Sequence, residues 1–223
     1  MPISSWNDRM LAKLRNIPPV AWPAAMVAVV VALGVAVELG ANIVSFDHAA
    51  NQTVHDHTRE PVTGWAFVVT ALGSTGVLIG VALAAALGLA LRGRWRSAVA
   101  LVVAYAITDA TVAVVKLLVE RPRPDANLTE AGGFSFPSGH SAMSMAVYGC
   151  LAFALARACR GFPRVACALG GLAIVVAIGL SRIYLGVHYP SDVIAGWITG
   201  AAIFVATWLI APRVVRLREP SAA

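Results

Sequence analysis

Charge is what this sequence has least of. Asp, Glu, Lys and Arg make up 13% of its 223 residues and hydrophobic residues 59%, whereas an ordinary soluble domain carries about 25% charge. Stretches 61–91, 165–181 and 193–212 contain no Asp, Glu, Lys or Arg at all, and a helical bilayer crossing needs about 20 apolar residues. A soluble globular domain, a disordered chain and a coiled coil are therefore excluded, and most of the chain is expected in lipid. Cysteine is also sparse. Cys150, Cys159 and Cys167 show no close Cys/His spacing, which excludes a disulfide scaffold and a zinc site and leaves them as small apolar residues. No internal repeat interrupts the Ala, Val and Leu richness. No signal-peptide cleavage pattern precedes the first apolar run, which is read as retained. The 12 prolines and 19 glycines punctuate helices in such a setting.

The 17 Lys and Arg outnumber the 11 Asp and Glu, for a net charge of +6, but their placement argues against a nucleic-acid partner. Twelve of them form four triplets: Arg9, Lys13, Arg15; Arg92, Arg94, Arg96; Arg157, Arg160, Arg164; and Arg213, Arg216, Arg218. If these mark the cytoplasmic side, every second junction between apolar runs is basic, as the positive-inside bias demands. The fold class expected is an all-α integral membrane bundle of six transmembrane helices with both termini cytoplasmic. Its spans are placed at 19–44, 62–91, 97–118, 138–156, 165–180 and 192–211. Residues 1–223 are read as one domain, with 1–18 a cytoplasmic N-terminal segment and 212–223 a cytoplasmic tail. The outer loop 45–61 is polar and reads as a short interfacial helix. Its His48, His55 and His57 share no fixed helical face and read as surface residues, so no metal is assigned to them.

The remaining basic residues, Arg59, Lys116, Arg121, Arg123 and Arg182, fall at or near the outer face, against the bias. A local reason such as an anion to hold accounts for such a placement. For Arg59 and Arg121, pairing with Glu60, Glu120, Asp125 or Glu130 accounts for it equally well. Three outer junctions carry the polar chemistry: KLLVERPRP at 116–124, FPSGHS at 136–141 and SRIYLGVHYPSD at 181–192. A helix from Ser97 reaches Lys116 after about 29 Å, the outer edge of the hydrocarbon. Val165 to Arg182 covers a similar distance, so Lys116, Arg123 and Arg182 can converge at headgroup level. FPSGH opens a helix running inward, whose first N–H groups and dipole suit an anion. Gly139 lets the backbone come close to a ligand, and Ser138 offers a hydroxyl and an N–H, although a plain helix cap is an equal reading of Ser138. His188 has Asp192 four residues on, which can fix its tautomer and leave the other ring nitrogen free to attack. His140 has no carboxylate nearby in sequence and suits proton donation to a leaving oxygen. Asp109, seven residues before Lys116 and about 10 Å deeper on nearly the same helix face, is expected to support the site or a helix contact.

These residues resemble a known family. Lys116–Pro124 fits K-x6-R-P, Pro137–His140 fits P-S-G-H, and Ser181–Asp192 fits S-R-x5-H-x3-D, the three motifs of the phosphatidic-acid phosphatase type 2 superfamily, in order and without departure. The resemblance covers roughly residues 20–211. It implies a metal-independent phosphatase of membrane lipid phosphates that needs no cofactor. Under it, His188 attacks phosphorus, Asp192 orients His188, and His140 protonates the leaving oxygen. Lys116, Arg123, Ser138, Gly139 and Arg182 then bind the phosphate. An outward-facing pocket at headgroup level in the inner (plasma) membrane, open to the periplasm or cell exterior, favours undecaprenyl pyrophosphate as substrate. Phosphatidic acid and phosphatidylglycerol phosphate fit the motifs as well. Arg121, outside the motif, is the feature that points to a diphosphate, by binding its second phosphate; the other reading is a surface pair with Glu120 or Glu130. A transporter is the rival from outside enzymology, but Glu38 and Asp109 are a thin inventory of polar groups within the spans. The soluble vanadium haloperoxidases share a similar anion pocket, yet six spans argue for a lipid substrate.

Overall fold

The computed structural model describes residues 18 to 216 apart from 19, 20, 41 and 126. The N-terminal segment 1–18 and the tail 212–223 therefore lie, for the most part, outside the described residues. Every regular element among the described residues is helical: α1 (Ala21–Glu38), α2 (Asn42–Asp56), α3 (Glu60–Ala71), α4 (Thr75–Leu91) and α5 (Trp95–Val119) precede a long loop. After it come α6 (Gly139–Ser144), a π-helical turn (Met145–Gly149), α7 (Cys150–Ala158), α8 (Phe162–Tyr184) and α9 (Pro190–Arg216). Five helical stretches are long and apolar enough to cross a membrane, or six if the bent pair α3 and α4 forms one span. Side chains such as Leu87, Leu91, Leu172 and Val114 lie on the outside of the bundle, the arrangement of helices whose solvent is lipid.

Three boundaries differ from the spans read in the sequence. The first apolar run does not continue to residue 44: α1 stops at Glu38, Gly40 takes a left-handed φ of 62°, and the chain restarts as α2. A glycine just past a helix end adopts that conformation without a Cβ clash. The second run is broken at Leu72–Ser74, where α3 and α4 meet at 46°. A carbonyl freed by this break, that of Leu72, accepts from the Tyr148 hydroxyl at 2.9 Å. The fourth run is continuous in direction but interrupted by the π turn at Met145–Gly149.

Helix α9 lies at the centre, packed on α1, α5 and α6, while α4 lies on α5, α7 on α8, and α3 on α8. Gly196 and Gly200 let α9 approach the start of α6. A Cβ at Gly196 would lie 2.6 Å from the Ser138 carbonyl oxygen, and one at Gly200 would lie 2.9 Å from Met145 Cβ. Small residues four apart permit this close crossing, which in lipid replaces the hydrophobic effect as the source of helix association. The apolar clusters that remain are compact. Leu78, Ala82, Met143 and Val147 join α4 to the α6 region, and Ala66, Leu185 and Val187 fix the turn after α8 under α3.

Candidate active site

Each motif lies where an element begins or ends. Lys116 is in the last turn of α5, which terminates at Glu120 with φ of 43°. Ser138 caps α6, with Gly139 and His140 opening it. Arg182 is in the last turn of α8, and a tight turn through Gly186 (φ 69°) delivers His188 just before α9. Together Lys116, Arg123, Gly139, His140, Arg182 and His188 line a cavity of about 370 Å³. Ser138 and Asp192 are buried behind it.

Lys116 and Arg123 are held by backbone carbonyls and Arg182 by a threonine hydroxyl, all neutral acceptors, and Glu130 is the carboxylate in the same cavity lining. Lys116 Nζ donates to the Phe134 carbonyl. Arg123 donates through Nε to Gly133 O at 3.0 Å, through Nη2 to Gly132 O at 2.8 Å and through Nη1 to Val187 O at 2.8 Å. Its Nη1 also lies 3.3 Å from His188 Nε2, which leaves one of its five N–H groups for another acceptor. Arg182 donates through Nη1 to Thr70 Oγ1 at 2.8 Å, while its Nε is buried with no hydrogen-bond partner. A buried donor left open in this way is expensive unless a ligand completes it. Gly73, in the break between α3 and α4, backs the pocket. A Cβ there would lie 3.0 Å from His140 Cδ2 and 2.6 Å from Ile178 Cγ2.

His188 is 2% exposed, and its Nδ1 lies 3.5 Å from Asp192 Oδ2, so Nε2 is the nitrogen turned to the cavity and Arg123. Burial, aided by Arg123 and Arg182, pushes its pKa down to about 4 against the opposing pull of Asp192. The imidazole is therefore neutral at pH 7, the state with a lone pair to donate. Asp192 is fully buried and firmly held. Its Oδ2 accepts from Ser135 Oγ and from Tyr189 N–H at 2.8 Å, and its Oδ1 accepts from Arg121 Nη1 at 2.6 Å. The bond to Tyr189 N–H is half of a capping box, with Pro190 in the first helical position and Asp192 in the third.

Ser138 is placed as a cap. Its Oγ accepts from Ser141 Oγ at 3.0 Å and from Ser141 N–H at 3.4 Å, and its own N–H donates to the Asp192 carbonyl at 2.9 Å. Neither group faces the cavity, and of the two readings of Ser138 the geometry matches the cap. Arg121 departs from both of its readings. It is 5% exposed, reaches neither Glu120 nor Glu130, and forks between Asp192 Oδ1 at 2.6 Å and Asp47 Oδ2 at 2.8 Å, over the face of Tyr189. Asp109 is exposed on α5 and takes no part in the site. The side chain of Arg59 is exposed as well, and its backbone N–H donates to Tyr184 Oη at 2.9 Å. Of the histidines in 45–61, His48 packs edge-on against Tyr189, and among the described residues no group of three His, Cys, Asp or Glu is placed to hold a metal ion. The sequence reading missed Asp47, Ser135, Ser191 and Thr70. Ser135 borders one motif that was read and Ser191 lies inside another, whereas Asp47 and Thr70 meet their partners across 74 and 112 positions and carry no local signal.

This arrangement of helices and buried cations defines a class. The PAP2 superfamily model matches residues 97–216, more than half of the chain, and the chain belongs to that superfamily. Among known proteins it is similar to phosphatidylglycerophosphatase B of Bacillus subtilis, 36% identical over 110 residues, covering 48% of this chain and 54% of that protein. It is also similar to lipid A 1-phosphatase of Rhizobium johnstonii, 36% identical over 112 residues, covering 45% of this chain and 42% of the relative. These matches thus span about half the length of each relative. The fold aligns with the crystal structure of a transmembrane PAP2-type phosphatidylglycerolphosphate phosphatase from Bacillus subtilis at a TM-score of 0.77. That alignment has 26% identity and covers 88% of this chain and 98% of that one.

Proposed function

We propose that this protein is a membrane-embedded, metal-independent phosphatase that removes the terminal phosphate of a lipid phosphate through a phosphohistidine. The observation that carries this reading is the buried His188, with Nδ1 toward Asp192 and Nε2 toward a cavity that gathers Lys116, Arg123 and Arg182. The reaction balances as two transfers. Nε2 of His188 forms a bond to phosphorus while the lipid P–O bond breaks, and His140 gives a proton to the departing oxygen. His140 then takes a proton from water, whose oxygen displaces His188 and releases inorganic phosphate. The charge on the non-bridging oxygens is met by Lys116, Arg123 and Arg182, with Gly139 in the cavity wall; the buried Arg182 Nε–H is a donor with no other partner. Fixed cations and N–H groups stabilise this transfer without reorganising during it.

A lipid phosphomonoester of the phosphatidylglycerol phosphate or phosphatidic acid type is the substrate we assign. Arg121, the residue that favoured a diphosphate, is committed to Asp47 and Asp192. The names of the relatives support a monoester. The six-span topology, a single domain over 1–223, cytoplasmic segments 1–18 and 212–223, and a site facing the outside of the inner membrane complete the proposal. The test is phosphate release from purified phosphatidylglycerol phosphate, phosphatidic acid and undecaprenyl pyrophosphate in detergent with EDTA present. Release from the monoesters at an EDTA-independent rate is expected. Release only after addition of a divalent metal overturns the metal-independent reading, and preference for the pyrophosphate overturns the substrate assignment.

A further inference from the structure

The interfacial helix α2 contributes a side chain to the machinery behind the nucleophile. Asp47 is fully buried, although α2 is otherwise polar and largely exposed. It accepts from Arg121 Nη2 at 2.8 Å, from the Ser191 N–H at 3.1 Å and from Ser191 Oγ. Arg121 in turn donates to Ser191 Oγ at 2.8 Å and to Asp192 Oδ1 at 2.6 Å, with its guanidinium carbon 4.0 Å from the centre of the Tyr189 ring. A chain of alternating charge thus runs from Asp47 through Arg121 and Asp192 to His188. We propose that Asp47 and Arg121 are positioning residues for phosphoryl transfer, setting both the orientation of Asp192 and how much of its negative charge is available to His188. This rests on the phosphatase reading above.

The physical reason is the sharing of one buried guanidinium between two carboxylates. A guanidinium fork can satisfy both at once, and each holds it away from the other. With Asp47 in place, Arg121 fixes Asp192 by Oδ1 while Oδ2 stays directed at His188 Nδ1, where positive charge grows as Nε2 bonds to phosphorus. Without the charge of Asp47, Arg121 has Asp192 as its single counter-ion, and Asp192 offers less charge to the imidazole. Asp47 also accepts from a backbone N–H in the first turn of α9, the turn that carries Asp192, so α2 fixes the start of that helix as an N-cap side chain would. Neither Asp47 nor Arg121 lines the cavity that holds the cations. Their influence should therefore fall on the chemical step and not on the hold on substrate.

The test is Asp47→Asn in the full chain, assayed on phosphatidylglycerol phosphate, undecaprenyl pyrophosphate and a soluble aryl phosphate, with active sites counted by trapping the phosphoenzyme. Expected is a fall in kcat per active site of about 10–100-fold, with KM within about 2-fold and the same loss on all three substrates. Asp56→Asn, exposed on the same helix, should match the wild type. The paired variant Asp47→Asn/Arg121→Gln, which removes the two charges together, should be no slower than Arg121→Gln alone, because the two residues act as one unit. Fewer active sites at wild-type kcat, additive losses in the pair, or a loss confined to the diphosphate would overturn the inference. Where the wild type turns over and Asp47→Asn does so equally, the phosphatase reading stands and this inference fails. Absence of turnover in the wild type would remove both.

Discussion

A buried imidazole flanked by guanidinium groups resists protonation, and this separates His188 from an ordinary surface histidine. With its pKa pushed down to about 4, it keeps its lone pair as pH falls and loses it only when pH passes through that value. Inactivation by diethyl pyrocarbonate, which attacks neutral imidazole, should therefore change less than about 2-fold between pH 7.5 and 5.5. A histidine of pKa 6.5 would lose about 10-fold of its neutral fraction over the same range. A 10-fold fall in the rate of inactivation would mean that His188 is solvated. The two histidines also separate by leaving group. His188→Ala should form no labelled phosphoenzyme with any substrate. His140→Ala should lose lipid turnover by at least about 100-fold yet retain activity on an activated aryl phosphate, whose oxygen departs without a proton. At this scale the sequence showed which polar groups lie at one depth, because helix rise converts position into height. It showed the local pair His188 and Asp192 but was silent on partners far apart in the chain. Arg121 was visible as a cation out of place, but the carboxylate at Asp47 that explains it lies 74 residues away on another helix.

Elements hold the site through close backbone contact. The start of α6 and the start of α9 must lie together for His140 and His188 to share a cavity, and Gly196 and Gly200 make that approach possible. Gly200→Leu should destabilise by about 1–3 kcal/mol, since its new side chain meets Met145 and the Ala142 carbonyl oxygen with no room to turn. Gly196→Ala is the gentler change and should lower kcat more than stability, because its Cβ pushes on the Ser138 carbonyl one residue before Gly139. Thermal unfolding in detergent compared with turnover per active site checks both. Equal losses of stability and rate at Gly196 would show that the contact is merely structural. The apolar runs announced these helices and most of their lengths. The break at Leu72–Ser74 and the π turn did not show, because both are changes of backbone geometry inside a run that stays apolar. Composition reports only that a segment is apolar. The polar loop at 45–61 was readable as a short helix, and α2 places most of that segment in one.

Across the whole molecule, charge separates by end. Helix α5 carries Arg96 in its first turn and Lys116 in its last, about 30 Å apart along a continuous helix. Arg92 and Arg94 lie in the turn between α4 and α5, and Arg157, Arg160 and Arg164 at the junction of α7 and α8. These lie at the end of the bundle away from Lys116, His140, Arg182 and His188. The positive-inside bias acts on the cations of short loops and sets orientation without reference to the catalytic groups. It predicts that the cavity opens to the outside of the cell and that the junction of α7 and α8 is cytoplasmic. Two cysteines test this. Asn127→Cys, placed on the exposed outer loop in a background with Cys150, Cys159 and Cys167 replaced by alanine, should be labelled by an impermeant maleimide added to intact cells. The native Cys159, retained alone, lies beside Arg157 and Arg160 and should be labelled only after the cells are opened. Labelling of Asn127→Cys only after lysis, with Cys159 reactive from outside, would invert the protein. The cavity would then draw its lipid from the cytoplasmic leaflet, and the basic triplets would stand on the face that the insertion machinery avoids giving them. In that case the anion-binding cations would follow the bias and the triplets would stand against it.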